Sequence, residues 1–429
     1  MIRLKPVSVL HTDHYELTMV SAALADGSAE RACVFEAFAR RLPNGRRYGV
    51  VAGIGRLLDH LADFRFHDEQ LRFLREKKVV NEQTIEWLAN YRFTGDIDGY
   101  AEGELYFPGS PILTVTGTFA ECVLLETLAL SVLNFDCAIA SAAARMVTAA
   151  RGRPIIEMGS RRAHEEAAVA AARSAYLAGF SVTSNLEAGM RYGIPTAGTS
   201  AHAYTLLHDS EQEAFASQVA TLGTDTTLLV DTYDISEGIR RAIAAAGPGL
   251  RAIRIDSGDL HFLGQQSREQ LDSLGAADTR IVVSGDLDEY AIASLAATPV
   301  DIYGAGTAVV TGSGAPTAGL VYKLVEVEGR PVVKRSENKA TVGGRKTAVR
   351  RHKPTGTAVE EIVVSQGTPE SEPGDRALQR PLVRGGEIVA GLPTLDASRD
   401  HLRECLISIP WEGLKLSQGD PAIPVVMRS

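Results

Sequence analysis

Between Lys78 and Lys323 the chain has no lysine at all. A Schiff base to a carbonyl substrate or to pyridoxal phosphate requires one, so chemistry of the class I aldolase or pyridoxal type is excluded from that stretch. There is also no Gly-x-x-x-x-Gly-Lys-Ser/Thr run, so any use of a nucleoside triphosphate is not of the P-loop kind. Cysteine is sparse: Cys33, Cys122, Cys137 and Cys405 stand apart with no C-x-x-C pair. That spacing predicts buried free thiols in a reducing compartment, the cytoplasm, and neither a zinc site nor a disulfide framework. Positive charge is short, with 44 Lys and Arg against 53 Asp and Glu and a formal charge of -9. Nucleic-acid binders need clustered cations, so that class is excluded as well. The first ten residues carry Arg3 and Lys5 but no apolar segment follows as in a secretory signal. The most apolar stretch, 112–150, is broken by Glu121, Glu126, Asn134, Asp136 and Arg145. It reads as a pair of core helices and not as a membrane span.

What is present is an average globular composition, 45% apolar and 23% charged over 429 residues, enough for two or three domains. Residues 10–90 read as mainly helical, with an alternating strand from Cys33 to Ala39, and residues 93–119 as a small β-rich module. From 154 to 310, short β-branched runs alternate with Ala- and Leu-rich helical stretches. Strands are expected at 155–158, 180–183, 196–199, 228–231, 253–256, 281–284 and 301–303, with helices such as 165–178, 237–246 and 287–297 between them. Such alternation implies right-handed βαβ units and a parallel sheet. Six or more units in one run favour a barrel over an open doubly wound sheet. The tail differs: 321–353 holds ten Lys and Arg against three Glu in alternating strands with a Gly343-Gly344 turn, and a last helix is expected at 398–406. The fold class is therefore α/β, an irregular parallel barrel of TIM type at 131–320. The segments 1–130 and 321–429 are expected to form a second α+β domain.

Parallel barrels carry their chemistry on the loops after the strands. Here those loops hold Gly159-Ser160-Arg161-Arg162, Ser184-Asn185, Thr199 to His202, Asp231 to Asp234, Asp256 to Asp259, Ser284-Gly285-Asp286 and Gly304 to Thr307. The backbone N–H groups of Gly304-Ala305-Gly306, with the Thr307 hydroxyl, can bind an anion, and Ser284-Gly285-Asp286 ahead of a helix offers more donors. Asp231, Asp256, Asp259 and Asp286 can ligate Mg²⁺, unless Asp259 or Asp286 serves instead as a helix cap. Arg161, Arg162 and Arg254 can clamp a phosphate or carboxylate, or pair with those same aspartates. His202, at a strand end among oxyanion ligands, is a candidate base or nucleophile, and His164 has a weaker context.

These motifs in this order resemble the nicotinate phosphoribosyltransferase family. The resemblance begins at Thr12-Asp13-His14-Tyr15-Glu16-Leu17-Thr18-Met19 and continues through Phe93-Thr94-Gly95-Asp96, Leu125-Glu126-Thr127 and Asn134-Phe135. The strand-end motifs beginning at Gly159, Gly198, Leu229, Arg254 and Gly304 follow, and Val321-Tyr322-Lys323-Leu324-Val325 closes it. It spans nearly the whole chain to about Arg351. Two positions depart from the family pattern: His14 replaces a common leucine, and no Gly-Pro-Asp-Gly follows His164.

The resemblance implies an ATP-dependent enzyme that forms nicotinate mononucleotide and pyrophosphate from nicotinate and phosphoribosyl pyrophosphate, with coupled ATP hydrolysis, on the salvage route to NAD. It implies Mg²⁺, assigned to Asp256 and Asp286, and ATP as cosubstrate. By the same resemblance His202 is the residue phosphorylated by ATP, with Asp231 and Asp256 as its catalytic companions. Tyr15 stacks on the pyridine ring, Thr199 and Arg254 hold its carboxylate, and Arg161 with the glycine loops takes the pyrophosphate. The expected assembly is a homodimer whose active site the N-terminal tyrosine completes. Three other readings stand beside it: a nicotinamide-specific relative, a quinolinate phosphoribosyltransferase, and a phosphosugar-binding barrel without turnover. An amide-selective site is expected to place a carboxylate near position 184, where this chain has Ser184. A quinolinate enzyme needs further cations on the barrel, lysines among them. Intact Arg254, Asp256 and His202 argue against a barrel without turnover.

Overall fold

The computed structural model describes residues 8–334 and 342–428, so part of the basic stretch 321–353 lies outside the described residues. The chain forms two compact units, one from 1–141 and 315–429, the other from 142–314.

In the first unit the strand Ala32–Ala39 lies between Leu320–Val327 and Leu113–Thr118 in a seven-stranded sheet. Helices His14–Asp26, Ile54–Leu61, Asp68–Glu76 and Glu82–Ala89 precede the β-rich segment Asp96–Tyr100 to Leu113–Thr118. The C-terminal hairpin Lys346–His352 with Ala358–Ser365 lies in a four-stranded sheet. Its cations are not a solvated face. Lys346 bonds the buried Glu36 at 2.7 Å, and fully buried Arg350 bonds Glu104 and Glu361, so each buried charge meets an opposite one. The stretch Phe119–Ala150 meets the length and composition of a membrane span, yet 67% of its most apolar window is buried within the fold, as in a core helix. All four cysteines are buried free thiols.

In the second unit six strands run parallel: Ile155–Glu157, Val182–Thr183, Thr227–Leu229, Ala252–Ile255, Arg280–Val283 and Ile302–Ala305. Their order is cyclic, because the last strand pairs with the first, Tyr303 opposite Ile155. This is a curled, half-barrel sheet with one open seam. The expected strand at 196–199 survives only as a single parallel bridge between Thr196 and Thr183. Pro195 brings no N–H to a ladder and Gly198 weakens a strand, so the pairing stops there. Among the described residues nothing pairs Thr196 with Thr227–Leu229, and the barrel inferred from the sequence stays unclosed on that side. Helices Leu186–Tyr192, His202–Leu207 and Glu211–Leu222 occupy this part of the chain.

Helix Ile235–Ala246, which follows strand Thr227–Leu229, packs with no room to spare. A Cβ on Gly238 would lie 2.3 Å from the Val230 carbonyl oxygen, a backbone atom that cannot swing aside. Gly238→Ala is therefore expected to destabilise the unit by about 1–3 kcal/mol, the cost of overpacking. Thermal unfolding checks it: an unchanged Tm would mean that the helix shifts freely on the sheet.

Candidate active site

Arg254 is the organising side chain of the strand ends. It lies on Ala252–Ile255, and with period-two alternation Asp256 faces the same way. All three guanidinium nitrogens are engaged. Nε donates to Ser284 Oγ at 2.8 Å, Nη1 to Thr199 Oγ1 at 3.0 Å and Nη2 to Asp256 Oδ1 at 2.7 Å. Ser284 also donates to Asp256, which closes a ring of three side chains. A guanidinium has five N–H groups, so two remain, one on each terminal nitrogen. With 13% of its side chain exposed, Arg254 is held in one orientation with donors to spare. Burial pushes the Asp256 carboxyl up, but the Ser284 bond and the Arg254 charge outweigh it, so its pKa falls below the ordinary value.

Asp231 and His202 stand beside this ring. Asp231 follows strand Thr227–Leu229, and its side chain is 1% exposed. Its Oδ2 accepts from the Asp256 N–H at 2.9 Å and from Ser257 Oγ at 2.8 Å. Its Oδ1 is buried without a hydrogen bond and lies 4.0 Å from His202 Nε2. His202 Nδ1 meets Thr232 Oγ1 at 3.2 Å. The imidazole opens helix His202–Leu207 and keeps 41% of its side chain exposed, so one ring edge stays reachable from solvent. Thr232 carried no signal of its own in the sequence beyond its place in the Asp231 to Asp234 motif.

The glycine loops are adjacent, as the strand order requires. Gly304 lies on Ile302–Ala305, next to Ile155–Glu157, and Met158 N–H donates to Ala305 O at 2.8 Å. Thr307 is exposed and opens a helix of only four residues, Thr307–Val310. Such a helix adds little dipole field, so anion attraction there rests on loop N–H groups and the hydroxyl. Arg161 and Arg162 are exposed and form no ion pair among the described residues, so the alternative of structural pairs with the aspartates does not hold for them. Ser184 is exposed, with its N–H bonded to Glu157 O.

Asp259 caps helix Leu260–Ser273, bonding the N–H groups of His261 and Phe262 at 3.2 Å. Asp286 caps nothing: it has φ of 48°, and Asp288 caps the following helix Glu289–Ser294 instead. Ser284-Gly285-Asp286 therefore does not sit at that helix N-terminus, which begins three residues later. Tyr15 belongs to the first unit, on helix His14–Asp26, and is 42% exposed. Burial and the carboxylate of Glu126 push its pKa up. His164 precedes helix Glu165–Leu177 and is largely exposed.

Among the described residues one group of three ligand-type side chains lies within 4.8 Å, Glu104, His401 and Cys405. There Arg350 and Arg376 already bind Glu104, and two guanidinium charges oppose a metal cation. No cage of that kind forms at the strand ends among the described residues. Asp286 is exposed, and Asp256 binds Arg254 and Ser284 through Oδ1 and keeps only Oδ2 for a cation, which suits Mg²⁺ held mainly by substrate phosphates better than an all-protein site. Sequence reasoning passed over Glu157, a buried carboxyl at the end of the first strand.

Residues 10–134 match the family described as the nicotinate phosphoribosyltransferase N-terminal domain. The chain is 61% identical over 425 residues to nicotinate phosphoribosyltransferase pncB1 of Mycobacterium tuberculosis, covering 97% of this chain and 94% of that one. It is 40% identical to a nicotinate phosphoribosyltransferase of Bacillus subtilis, over 80% of this chain and 72% of the relative. The crystal structure of human nicotinic acid phosphoribosyltransferase superposes with a TM-score of 0.85 at 26% identity, covering 97% of each chain. With the Arg254 ring, the Asp231–His202 pair and adjacent glycine loops at the ends of a curled parallel sheet, these likenesses show that the chain belongs to the nicotinate phosphoribosyltransferase family.

Proposed function

We propose that this protein transfers the phosphoribosyl group of phosphoribosyl pyrophosphate to nicotinate, releasing pyrophosphate, with ATP hydrolysis coupled through His202. The observation that carries the reading is Arg254, clamped by Thr199, Ser284 and Asp256 with two N–H donors left over. A planar fork with spare donors fits a carboxylate and offers nothing to an amide nitrogen. Ser184 places no acid where an amide-selective relative is expected to have one.

Displacement of pyrophosphate leaves positive charge on the anomeric carbon and negative charge on the leaving group. Arg161, the N–H groups of Gly304 to Gly306 and the Thr307 hydroxyl would meet the second, chiefly electrostatically. Mg²⁺, held by Asp256 and Asp286 together with the phosphates, would neutralise the leaving group when bound. Arg254 and Thr199 fix the ring nitrogen by holding the ring's carboxylate, and Tyr15 supplies an aromatic face in a homodimer. His202 accepts the terminal phosphoryl group of ATP at one ring nitrogen as ADP leaves, and water later cleaves the P–N bond to release phosphate and complete the hydrolysis. The chemistry falls within the half-barrel segment 131–320, with 1–130 and 321–429 as a second domain, in a cytoplasmic enzyme.

The test is pyrophosphate release on addition of nicotinate and phosphoribosyl pyrophosphate, with the product identified as the mononucleotide. A Thr307→Val variant refines the site. Loss of one hydroxyl donor worth about 1 kcal/mol should raise the phosphoribosyl pyrophosphate KM roughly fivefold and leave the nicotinate KM alone. A change confined to the nicotinate KM would mean that the anion loop lies elsewhere.

A further inference from the structure

Glu157 is the last residue of strand Ile155–Glu157 and is 1% exposed, a carboxyl with no ion pair among the described residues. Its two oxygens hold two different strand ends. Oε1 accepts the Gly159 N–H at 2.5 Å, at the start of the loop that carries Arg161. Oε2 accepts the Thr183 hydroxyl at 2.5 Å, at the end of the neighbouring strand. Thr183 Oγ1 in turn accepts the Asn185 N–H at 3.0 Å, and Asn185 Nδ2 donates to Ser160 Oγ at 3.0 Å, back in the first loop. The bonds close a circuit: Glu157, Gly159, Ser160, Asn185, Thr183 and Glu157 again.

The loop fixed by that circuit also packs on the other anion loop. A Cβ on Gly159 would lie 2.1 Å from Val310 Cγ1 and 3.2 Å from the Gly306 carbonyl oxygen, so only a glycine lets the two loops approach. Arg161, two residues on, is exposed and pairs with no acid among the described residues. A free cation on an untethered loop would lose much of its binding contribution to ordering. Burial pushes the Glu157 carboxyl above the ordinary range, so it sheds its charge more readily than a surface glutamate. That lessens its repulsion of an anion bound nearby.

We propose that Glu157 is a positioning residue for the pyrophosphate group: it ties the Gly159–Arg161 loop to the neighbouring strand end so that Arg161 meets the anion preorganised. This rests on the reading of Arg161 as a pyrophosphate ligand. Glutamine can replace the acid in the circuit, its carbonyl accepting from Gly159 and its amide donating to Thr183, whereas leucine makes neither bond.

The readout is the Kd for inorganic pyrophosphate by calorimetry, which needs no turnover, so the phosphoribosyl-transfer reading is tested separately by nicotinate-dependent product formation. Glu157→Leu should weaken binding about tenfold, and Glu157→Gln should stay within about threefold of the parent, as coupled hydrogen bonds imply. If Glu157 acts through Arg161, then Glu157→Leu combined with Arg161→Ala should bind no more weakly than Arg161→Ala alone. A merely structural role would add its loss to that of Arg161. Should Glu157→Leu not fold, Thr183→Val removes one bond of the circuit and should show a smaller loss with the same non-additivity. Unchanged binding in Glu157→Leu, a Gln variant as weak as the Leu variant, or additive losses in the double variants would each overturn the proposal.

Discussion

Replacing Arg254 with alanine should raise the nicotinate KM by two orders of magnitude or more. Two free N–H donors of a fixed guanidinium meeting a carboxylate amount to about 3–6 kcal/mol, at about 1.5–3 kcal/mol for each charged bond. At about 1.4 kcal/mol per decade, that is roughly a hundredfold to ten-thousandfold. The loss also frees Ser284, Thr199 and Asp256, which lose their shared partner. Arg254→Lys separates the two effects. It keeps a charge near Asp256 but cannot serve three acceptors and a carboxylate from one plane, so it should recover only part of the loss. The phosphoribosyl pyrophosphate KM should change far less than the nicotinate KM in both variants. Equal changes in the two constants would show that Arg254 acts by holding the fold of the strand ends and not by binding the ring.

His202→Ala should abolish ATP stimulation and the labelled phosphoenzyme while leaving slow ATP-independent transfer. The geometry gives the histidine what a nucleophile needs. A carboxylate only accepts, so the Nε2 edge that faces Asp231 at 4.0 Å is the edge suited to carry the hydrogen. Nδ1, 3.2 Å from Thr232 Oγ1, then keeps the lone pair. The buried Oδ1 of Asp231 has no hydrogen-bond partner among the described residues and is placed to stabilise positive charge as the imidazole forms a bond to phosphorus. Incubation with radiolabelled ATP should give a label that is acid-labile and stable in base. Acid-stable label, or label that persists in His202→Ala, would show that the histidine is structural.

Much of this was legible in the chain because its strands are short, apolar and β-branched. The runs at 253–256 and 281–284 reappear one residue earlier, as Ala252–Ile255 and Arg280–Val283, and the run at 301–303 reappears as the longer Ile302–Ala305. The motif order then fixes which loops are neighbours. The run at 196–199 misled because Thr196 and Thr199 suggest a strand while Pro195 and Gly198 undo it, and the outcome depends on pairing no local pattern encodes. Glu157 was passed over because an acid at the end of an apolar strand is usually solvated. A glycine two residues later was the one local hint that the backbone turns back on it. The cations of the tail likewise gave no sign of burial, since Lys346 meets Glu36 across 310 residues and Arg350 meets Glu104 across 246.

In the proposed function the Arg254 ring selects a pyridine carboxylate for phosphoribosyl transfer. The most direct measurement is kcat/KM for nicotinate and for nicotinamide in parallel, with phosphoribosyl pyrophosphate, in the presence and absence of ATP. A site that leaves charged donors unpaired against an amide should favour nicotinate by several orders of magnitude, with ATP raising the rate. Equal or greater kcat/KM for nicotinamide, or no pyrophosphate released with either, would contradict the account.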